Sequence, residues 1–352
     1  MKSDTRIAII GHFGGNERFH DGQTVKTLSL YDAMIRRKPK DIEIDKADTY
    51  YIKKNPAKFV VAFFRALFRN KKIVVLLSEK GRRFLFPILY CFAKGFGKEI
   101  YHYAIAGQLA EETKTKAHWR KYLNSFKGNW MEGRNLVREL KGLSVENAVY
   151  IPNFKSLKIL KAEDLVYSRQ EPFRFCTFSR VMPEKGIEDA VSAVSQINRQ
   201  FGRKRVALDI YGPVEKGYEA RFEQLLKENS DVQYRGIADR NESTDILKNY
   251  YVLLFPTHFK SEGIPGTILD AYFSGIPVIA RWWPLCDELI EHGKTGYVYP
   301  RNQPDQLIST MITAIDNPGI TNRMKTACLQ KSAFFSEEAV MKRIGEEMKV
   351  NF

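Results

Sequence analysis

Two carboxylates and two cations, each set in a loop that follows an apolar run, are the side chains here whose types and spacing point to chemistry. Glu262 lies in the Gly/Pro-rich segment Ser261-Glu262-Gly263-Ile264-Pro265-Gly266-Thr267, and Asp270 follows eight residues later on a predicted helix that Gly275 can cap. Such a loop exposes backbone N–H groups at a helix N-terminus, where partial positive charge favours a diphosphate. Carboxylates beside that point would repel phosphate, but they can accept hydrogen bonds from sugar hydroxyls on either side of it. Arg180 and Lys185, in Ser179-Arg180-Val181-Met182-Pro183-Glu184-Lys185-Gly186, follow another apolar run and precede another helical pattern. Two cations at the carboxyl end of a strand can neutralise the charge that grows on a departing nucleoside diphosphate.

The elements that must position these loops alternate along the chain. RIAIIGHF (6–13), IVVLLS (73–78) and EIYHYAIAG (99–107) read as buried strands, with a helix over 23–36 where Val25, Leu28, Tyr31 and Ile35 recur at helical spacing. The pattern breaks near Ile151-Pro152-Asn153-Phe154 and resumes with FRFCTFSR (173–180), a helix over 187–200, VALDIYG (206–212), a helix over 218–228, then VQYRG, YVLLFP and IPVIA. Strands alternating with helices through both halves predict an α/β protein of two doubly wound, Rossmann-like parallel sheets, over 1–155 and 156–334, with a C-terminal helix over 335–352 that can pack back on the first domain. Ligands bind such sheets at the carboxyl ends of the strands, so the expected site is the cleft between the halves.

The segment from Glu262 to Asp270, in its setting of Pro256-Thr257, Gly263, Pro265-Gly266-Thr267, Ala271, Gly275 and Pro277-Val278-Ile279-Ala280, resembles the E-x7-E motif of family 4 retaining glycosyltransferases of GT-B architecture, with Asp270 in place of the second glutamate. The resemblance implies that Glu262 holds the donor sugar near its 3- and 4-hydroxyls, that Asp270 holds the ribose, and that backbone from Gly263 and Ile264 through Pro265, Gly266 and Thr267 faces the diphosphate. Arg180 and Lys185 match the family's Arg-x4-Lys-Gly pair at the leaving group. Gly22 and Gln23 match a helix start that faces the donor diphosphate, while Gly14 and Gly15 suit turns. Tyr211-Gly212-Pro213 resembles the family's G-x-G turn, Gly236 the loop that meets the base, and Asn153 a structural position before the second domain. The nearest likeness is to bacterial enzymes of capsular, exopolysaccharide and O-antigen synthesis, carried by GQTVKT, AGQL (106–109) and EGIPGTILDAY. The implied function is transfer of a hexosyl or N-acetylhexosaminyl group from a nucleotide sugar, expected to be a UDP-sugar, to a saccharide or lipid-linked saccharide.

Of six histidines, His102 is the catalytic candidate that the resemblance implies, since some relatives place a catalytic histidine at the end of a first-domain strand, although here the strand pattern continues past it as Tyr103-Ala104-Ile105-Ala106-Gly107; His12 and His20 sit in the glycine loop, His258 stands four residues before Glu262, and His118 and His292 read as surface residues. No D-x-D motif stands beside a strand end, and cations with a helix end can replace a metal at the diphosphate, so no metal or other cofactor is expected. Cys91, Cys176, Cys286 and Cys328 show no CxxC spacing and read as core thiols. The charged start MKSDTRIAII and the lack of an apolar run near 18 residues predict a cytoplasmic protein.

The net charge of +15 is local. From Lys53 to Lys98 there are twelve Lys/Arg and one acid, Glu79, giving +11. This stretch, with Lys53, Lys54, Arg82 and Arg83 beside FVVAFFRALF and FLFPILYCFA, predicts peripheral docking on the anionic inner face of the plasma membrane; buried helices with a solvated basic rim are the alternative. Other readings are a different GT-B enzyme, such as a sugar-nucleotide epimerase or a phosphorylase, and a basic nucleic-acid-binding protein. The last is disfavoured because the aromatics sit in apolar runs, not in a single-strand-binding motif.

Overall fold

The structure, a computed structural model, describes residues 6–17, 21–105, 109–239, 241–259 and 262–352; His20, Ser261 and residues 106–108 of the AGQL segment lie outside them. The chain divides into two compact units, Met1–Ser156 with Glu337–Phe352, and Leu157–Ser336.

The first unit is built on six parallel strands, β1 (Arg6–Gly11), β2 (Glu43–Asp48), β3 (Lys72–Leu76), β4 (Glu99–Tyr103), β5 (Gly128–Met131) and β6 (Ala148–Tyr150), in the order β2-β1-β3-β4-β5-β6. Ile7 pairs with Ile44 on one side and Lys72 on the other, so β1 is an interior strand. Its residues Ile7 to Ile10 are fully buried, as both-face covering of a parallel sheet requires. The sequence EIDKAD of β2 suits an edge, where charges discourage pairing with another chain. The helix Glu337–Met348 belongs to this unit: Val340, Met341, Ile344 and Met348 join Ile7, Leu30 and Met34 in one core, while Glu337 takes Arg36 at 2.5 Å and Arg37 at 2.8 Å. The two apolar-rich runs form helices Pro56–Arg69 and Glu79–Gly95, started by Asn55 and Ser78, whose side chains accept from the N–H groups of Lys58 and Gly81. Cys91, on the second of these, is exposed, which corrects the reading of all four cysteines as core thiols.

The second unit carries β7 (Phe173–Phe178), β8 (Val206–Tyr211), β9 (Val232–Tyr234), β10 (Val252–Phe255), β11 (Val278–Arg281) and β12 (Gly296–Tyr299), again all parallel, in the order β12-β11-β10-β7-β8-β9. Helix Ile187–Phe201 buries Ile187, Val191, Val194 and Ile197 against this sheet beside Phe175, Leu208 and Leu254. From β7 the chain first winds outward through β8 and β9, then returns to build β10 to β12 on the other side. The strand order therefore reverses between β7 and β10, and a crevice opens outside their carboxyl ends, where ligands bind in sheets of this kind.

Candidate active site

The loops that leave β7 and β10 are the two that carry the cation pair and Glu262, so the reversal of strand order brings both motifs to one place. The ammonium of Lys185 lies 2.5 Å from Glu262 Oε1, and the hydroxyl of Thr257 donates to the same oxygen at 2.8 Å. Both charged side chains are largely buried, at 14% and 13% exposure. Lys185 also stands 4.7 Å from the centre of the Phe259 ring and 5.5 Å from that of Phe255, which limits the water that could screen the pair. Among the described residues, Oε2 of Glu262 is left for an incoming hydroxyl.

Backbone geometry fixes how closely the loops approach. Gly186 has φ +70°, and a Cβ built there would lie 2.1 Å from the carbonyl oxygen of Pro256. Gly212, after β8, has φ +133°, and its Cβ would lie 1.8 Å from the carbonyl oxygen of Ser179. Both positions accept only glycine. The β10 loop is held from outside as well. Trp283 Nε1 donates to the Gly263 carbonyl at 3.1 Å, Arg301 donates to the His258 carbonyl at 2.6 Å, and the His258 N–H donates to the Glu184 carbonyl at 2.7 Å. His258 receives a hydrogen bond on Nδ1 from Arg281 at 2.7 Å and faces Asp189 through Nε2 at 2.9 Å, so its ring braces the loop. Thr257, which the sequence offers only as part of the motif's setting, and Trp283 gain these contacts from the way the β10 and β11 loops fold together.

After Glu262 the chain enters helix Gly266–Phe273. Thr267 Oγ1 is buried there without a partner among the described residues, so this helix start offers a free donor next to its backbone N–H groups. Asp270 is almost wholly buried and accepts from Ser243 Oγ at 3.3 Å. Arg180 is more open than Lys185; its nearest acid is Glu215, at 3.9 Å.

Gly212 and Gly236 are joined by a hydrogen bond from the Gly212 N–H to the Gly236 carbonyl at 2.9 Å, and Gly236, at φ +76°, faces open space. The Tyr211 side chain leaves this group. Its hydroxyl meets that of Tyr250 at 2.9 Å, and Tyr250 donates to Asp209, which also pairs with Arg174 and Arg235.

In the first unit the helix start at Gly22 is already capped. Asp21 Oδ1 accepts from the N–H groups of Gln23 and Thr24, each at 3.0 Å, and the carboxylate of Asp48 takes those of Phe13 and Gly15, each at 2.8 Å. The N–H groups of Phe13, Gly15, Gln23 and Thr24 are thus taken by the chain's own carboxylates, while a Cβ at Gly22 would meet nothing within 4 Å among the described residues.

His102 requires a correction. It is fully buried in β4 and packs edge-on against Phe86 at 5.0 Å, so its ring presents no exposed edge to a substrate. Burial, reinforced by the Arg82 guanidinium, holds its pKa well below the ordinary imidazole value. Below about pH 6.5 the unfolded chain takes up a proton that the folded ring refuses, so stability rises with pH in that window and falls on acidification, by up to about 1.4 kcal/mol per pH unit. Urea unfolding across pH should show a shallower acid slope in His102→Leu than in wild type. His12 keeps a polar contact, Nδ1 to Thr24 Oγ1 at 2.7 Å, while His118 and His292 are exposed.

The sequence also hid a buried ion pair. Lys26 Nζ lies 2.6 Å from Glu132 Oε1, donates to the Ala104 carbonyl at 2.7 Å, and stands over the Tyr103 ring. It ties the first helix to the chain just beyond β4 and β5. Burial lowers the Lys26 pKa despite Glu132. Lys26→Met, which strands the carboxylate, should cost about 3–5 kcal/mol in denaturant unfolding.

Residues 172–317 match the model of a family described as glycosyl transferases group 1. The GtfA subunit of the UDP-N-acetylglucosamine–peptide N-acetylglucosaminyltransferase of Streptococcus pneumoniae is 24% identical over 292 residues, 77% of this chain and 54% of that one. The amylovoran biosynthesis glycosyltransferase AmsK of Erwinia amylovora is 22% identical over 271 residues, 67% and 66%. The chain thus spans roughly half to two thirds of these curated relatives. Among solved structures, Anabaena HepE in complex with UDP and glucose superposes with a TM-score of 0.69 at 14% identity, over 98% of this chain and 99% of that one. The fold is GT-B.

Proposed function

We propose that this chain, which carries a glycosyl transferases group 1 domain over residues 172–317, is a retaining glycosyltransferase that moves a hexosyl or N-acetylhexosaminyl group from a UDP-sugar to a saccharide or lipid-linked saccharide in the synthesis of a bacterial surface polysaccharide. The observation that carries the reading is the pairing of Lys185 with Glu262 at the reversal of strand order in the second unit. A carboxylate and an ammonium in contact, beside a helix start with an unpartnered hydroxyl, suit a ligand with sugar hydroxyls at one end and a diphosphate at the other. The donor takes over the ion pair: Glu262 accepts from the sugar hydroxyls, and Lys185, with Arg180, turns to the phosphate oxygens. As the bond from the anomeric carbon to the phosphate oxygen breaks, the two cations stabilise the charge left on the nucleoside diphosphate. The acceptor oxygen joins the anomeric carbon on the same face, and its proton passes to the departing phosphate oxygen. The curated relatives named for amylovoran synthesis and for UDP-N-acetylglucosamine support the acceptor and donor classes.

A panel of nucleotide sugars tests the donor. The true donor at ~100 times its Kd should add roughly 2.7 kcal/mol of stability, seen as a raised Tm. With that donor and an oligosaccharide acceptor, NMR of the product should show the donor's anomeric configuration, and transfer should persist in excess chelator. An inverted linkage would reject retention, chelator-sensitive transfer would reject cationic charge neutralisation without a metal, and an epimerised nucleotide sugar formed without acceptor would reject transfer itself.

A further inference from the structure

We propose that helices Pro56–Arg69 and Glu79–Gly95 form a docking surface for anionic lipid, on which aromatic side chains enter the headgroup region and a basic rim holds the phosphates. Neither helix contributes a residue to the transfer site, so docking here is independent of which donor the protein uses.

Helix Pro56–Arg69 has two apolar stripes. Phe59, Phe63, Ala66 and Leu67 are buried against their own unit, which is all that folding requires of a surface helix. Val60, Phe64 and Phe68 form the second stripe, at i, i+4 and i+8, with Val61 beside it, and this one is exposed, Val61 at 69% and Phe68 at 58%. A soluble helix places polar residues on its outer face, so a run of exposed valine and phenylalanine marks a partner surface. The aromatic part is already assembled. Phe68 meets the ring of Phe92 at 5.2 Å, Phe92 meets Phe96 at 4.8 Å, and Phe64 lies 6.3 Å from Phe68, so the ridge crosses from one helix to the end of the other. Of these four rings only Phe92 is buried.

Charge identifies the partner. On helix Glu79–Gly95, Lys80, Arg83, Phe84, Pro87, Cys91 and Lys94 recur at three- and four-residue intervals and all are exposed, with Phe84 the most open phenylalanine of the pair of helices at 74%. Arg65 adjoins Phe64 in the same way on the first helix. Arg82 drops out of the expected docking set, because its guanidinium is buried in a two-pronged pair with Glu112 at 2.7 and 2.9 Å. Lys54, Arg69, Lys72 and Arg82 meet acids from other elements, Glu17, Glu43, Glu99 and Glu112, whereas Arg65, Lys80, Arg83 and Lys94, beside the exposed apolar stripe, have no ion pair among the described residues. An uncharged protein face would meet the apolar stripe but leave the cations unmatched, and nucleic acid would meet the cations but leave the aliphatic stripe in water. An anionic bilayer satisfies both, since apolar side chains reach the acyl boundary while cations meet headgroup phosphates. With 14 and 17 residues, each helix is short for a bilayer span, and no helix among the described residues is long and apolar enough to cross a membrane.

The test is flotation of the full chain with vesicles of mixed phosphatidylglycerol and phosphatidylcholine, against vesicles of phosphatidylcholine alone. Wild type should float only with the anionic vesicles and detach as salt is raised. Reversal of charge in Lys80→Glu, Arg83→Glu and Lys94→Glu combined should weaken binding on the order of 100-fold. Phe64→Ser, Phe68→Ser and Phe84→Ser combined should weaken it about 10-fold with the salt dependence kept, and neither triple variant should change the Tm by more than a few degrees. A Phe84→Trp reporter should gain a blue shift and quenching by brominated acyl chains above the native tryptophans. Equal flotation of wild type and the charge-reversed variant would overturn the proposal. So would equal binding to neutral vesicles, loss of a dimer as the only effect of the phenylalanine changes, or salt-sensitive binding to a single-stranded oligonucleotide with none to vesicles.

Discussion

Glu262→Gln should lower turnover by roughly 10²–10³-fold while the protein stays folded and still binds the nucleoside diphosphate. The amide keeps the shape of the side chain and can still accept from Thr257 and Lys185 through one oxygen, so the loop between β10 and helix Gly266–Phe273 should keep its course. What it loses is the negative charge, and with it charge-assisted hydrogen bonds to the sugar hydroxyls, which strengthen as the anomeric carbon becomes cationic in the transition state. The effect should therefore fall on kcat more than on KM for the donor. Differential scanning fluorimetry separates this from unfolding: the variant should melt within a few degrees of wild type, and the nucleoside diphosphate should still raise its Tm. A variant with wild-type turnover would remove Glu262 from the reacting sugar. A variant that fails to melt cooperatively would mean that the carboxylate serves the loop and not the chemistry.

The strands most legible in the sequence are those with continuous apolar runs. β1, β7, β8 and β10 have four to six residues each, mostly buried, and each stands before a glycine- or proline-containing loop. β5, β6 and β12, with the sequences GNWM, AVY and GYVY, lack the continuous aliphatic run that marks VLLF of β10, so the sequence does not single them out. The motifs were legible as separate segments, but their contact was not. Lys185 and Glu262 are 77 residues apart, and only the strand order, in which β10 pairs with β7 across two intervening strands, makes them neighbours. Side-chain partners chosen by the fold were hidden for the same reason. Nothing in Asp21 or Asp48 as residue types says that they will take N–H groups of the first glycine loop, and nothing in Lys26 says that it will be buried on Glu132, 106 residues away. His102 misled because, one residue before the end of β4, its side chain falls on the face packed against Phe86, and the residues around it do not reveal that face as covered. The Lys53 to Lys98 stretch misled in one residue, Arg82, since a cation on the inward side of an amphipathic helix cannot be told from one on the rim without knowing which stripe is buried.

Gly186→Ala should remove activity more completely than Lys185→Ala, although it deletes no functional group. At φ +70° an alanine is strained, and its methyl carbon would stand 2.1 Å from the Pro256 carbonyl oxygen and 2.8 Å from the carbonyl carbon. Those are backbone atoms at the end of β10, in the middle of the sheet, where no flexible side chain can yield. Lys185 precedes this residue and Thr257 follows Pro256, so the only relief is to push the two loops apart, and the separation acts directly on the contacts of Glu262 with both side chains. Loss of packing and positive-φ strain together should cost several kcal/mol, at the upper end of what single substitutions do. Lys185→Ala leaves this backbone contact in place; it should keep near wild-type stability and lose mainly the charge that meets the leaving diphosphate. The order of effects is the test. Turnover should fall as wild type, Lys185→Ala, Gly186→Ala, the Tm should drop sharply only for Gly186→Ala, and nucleoside diphosphate should restore little of that Tm because the loops that hold it no longer meet. A Gly186→Ala protein with wild-type Tm and turnover would show that the β7 and β10 loops are not pressed together at this carbonyl, and the geometry of the Lys185–Glu262 pair would lose its foundation.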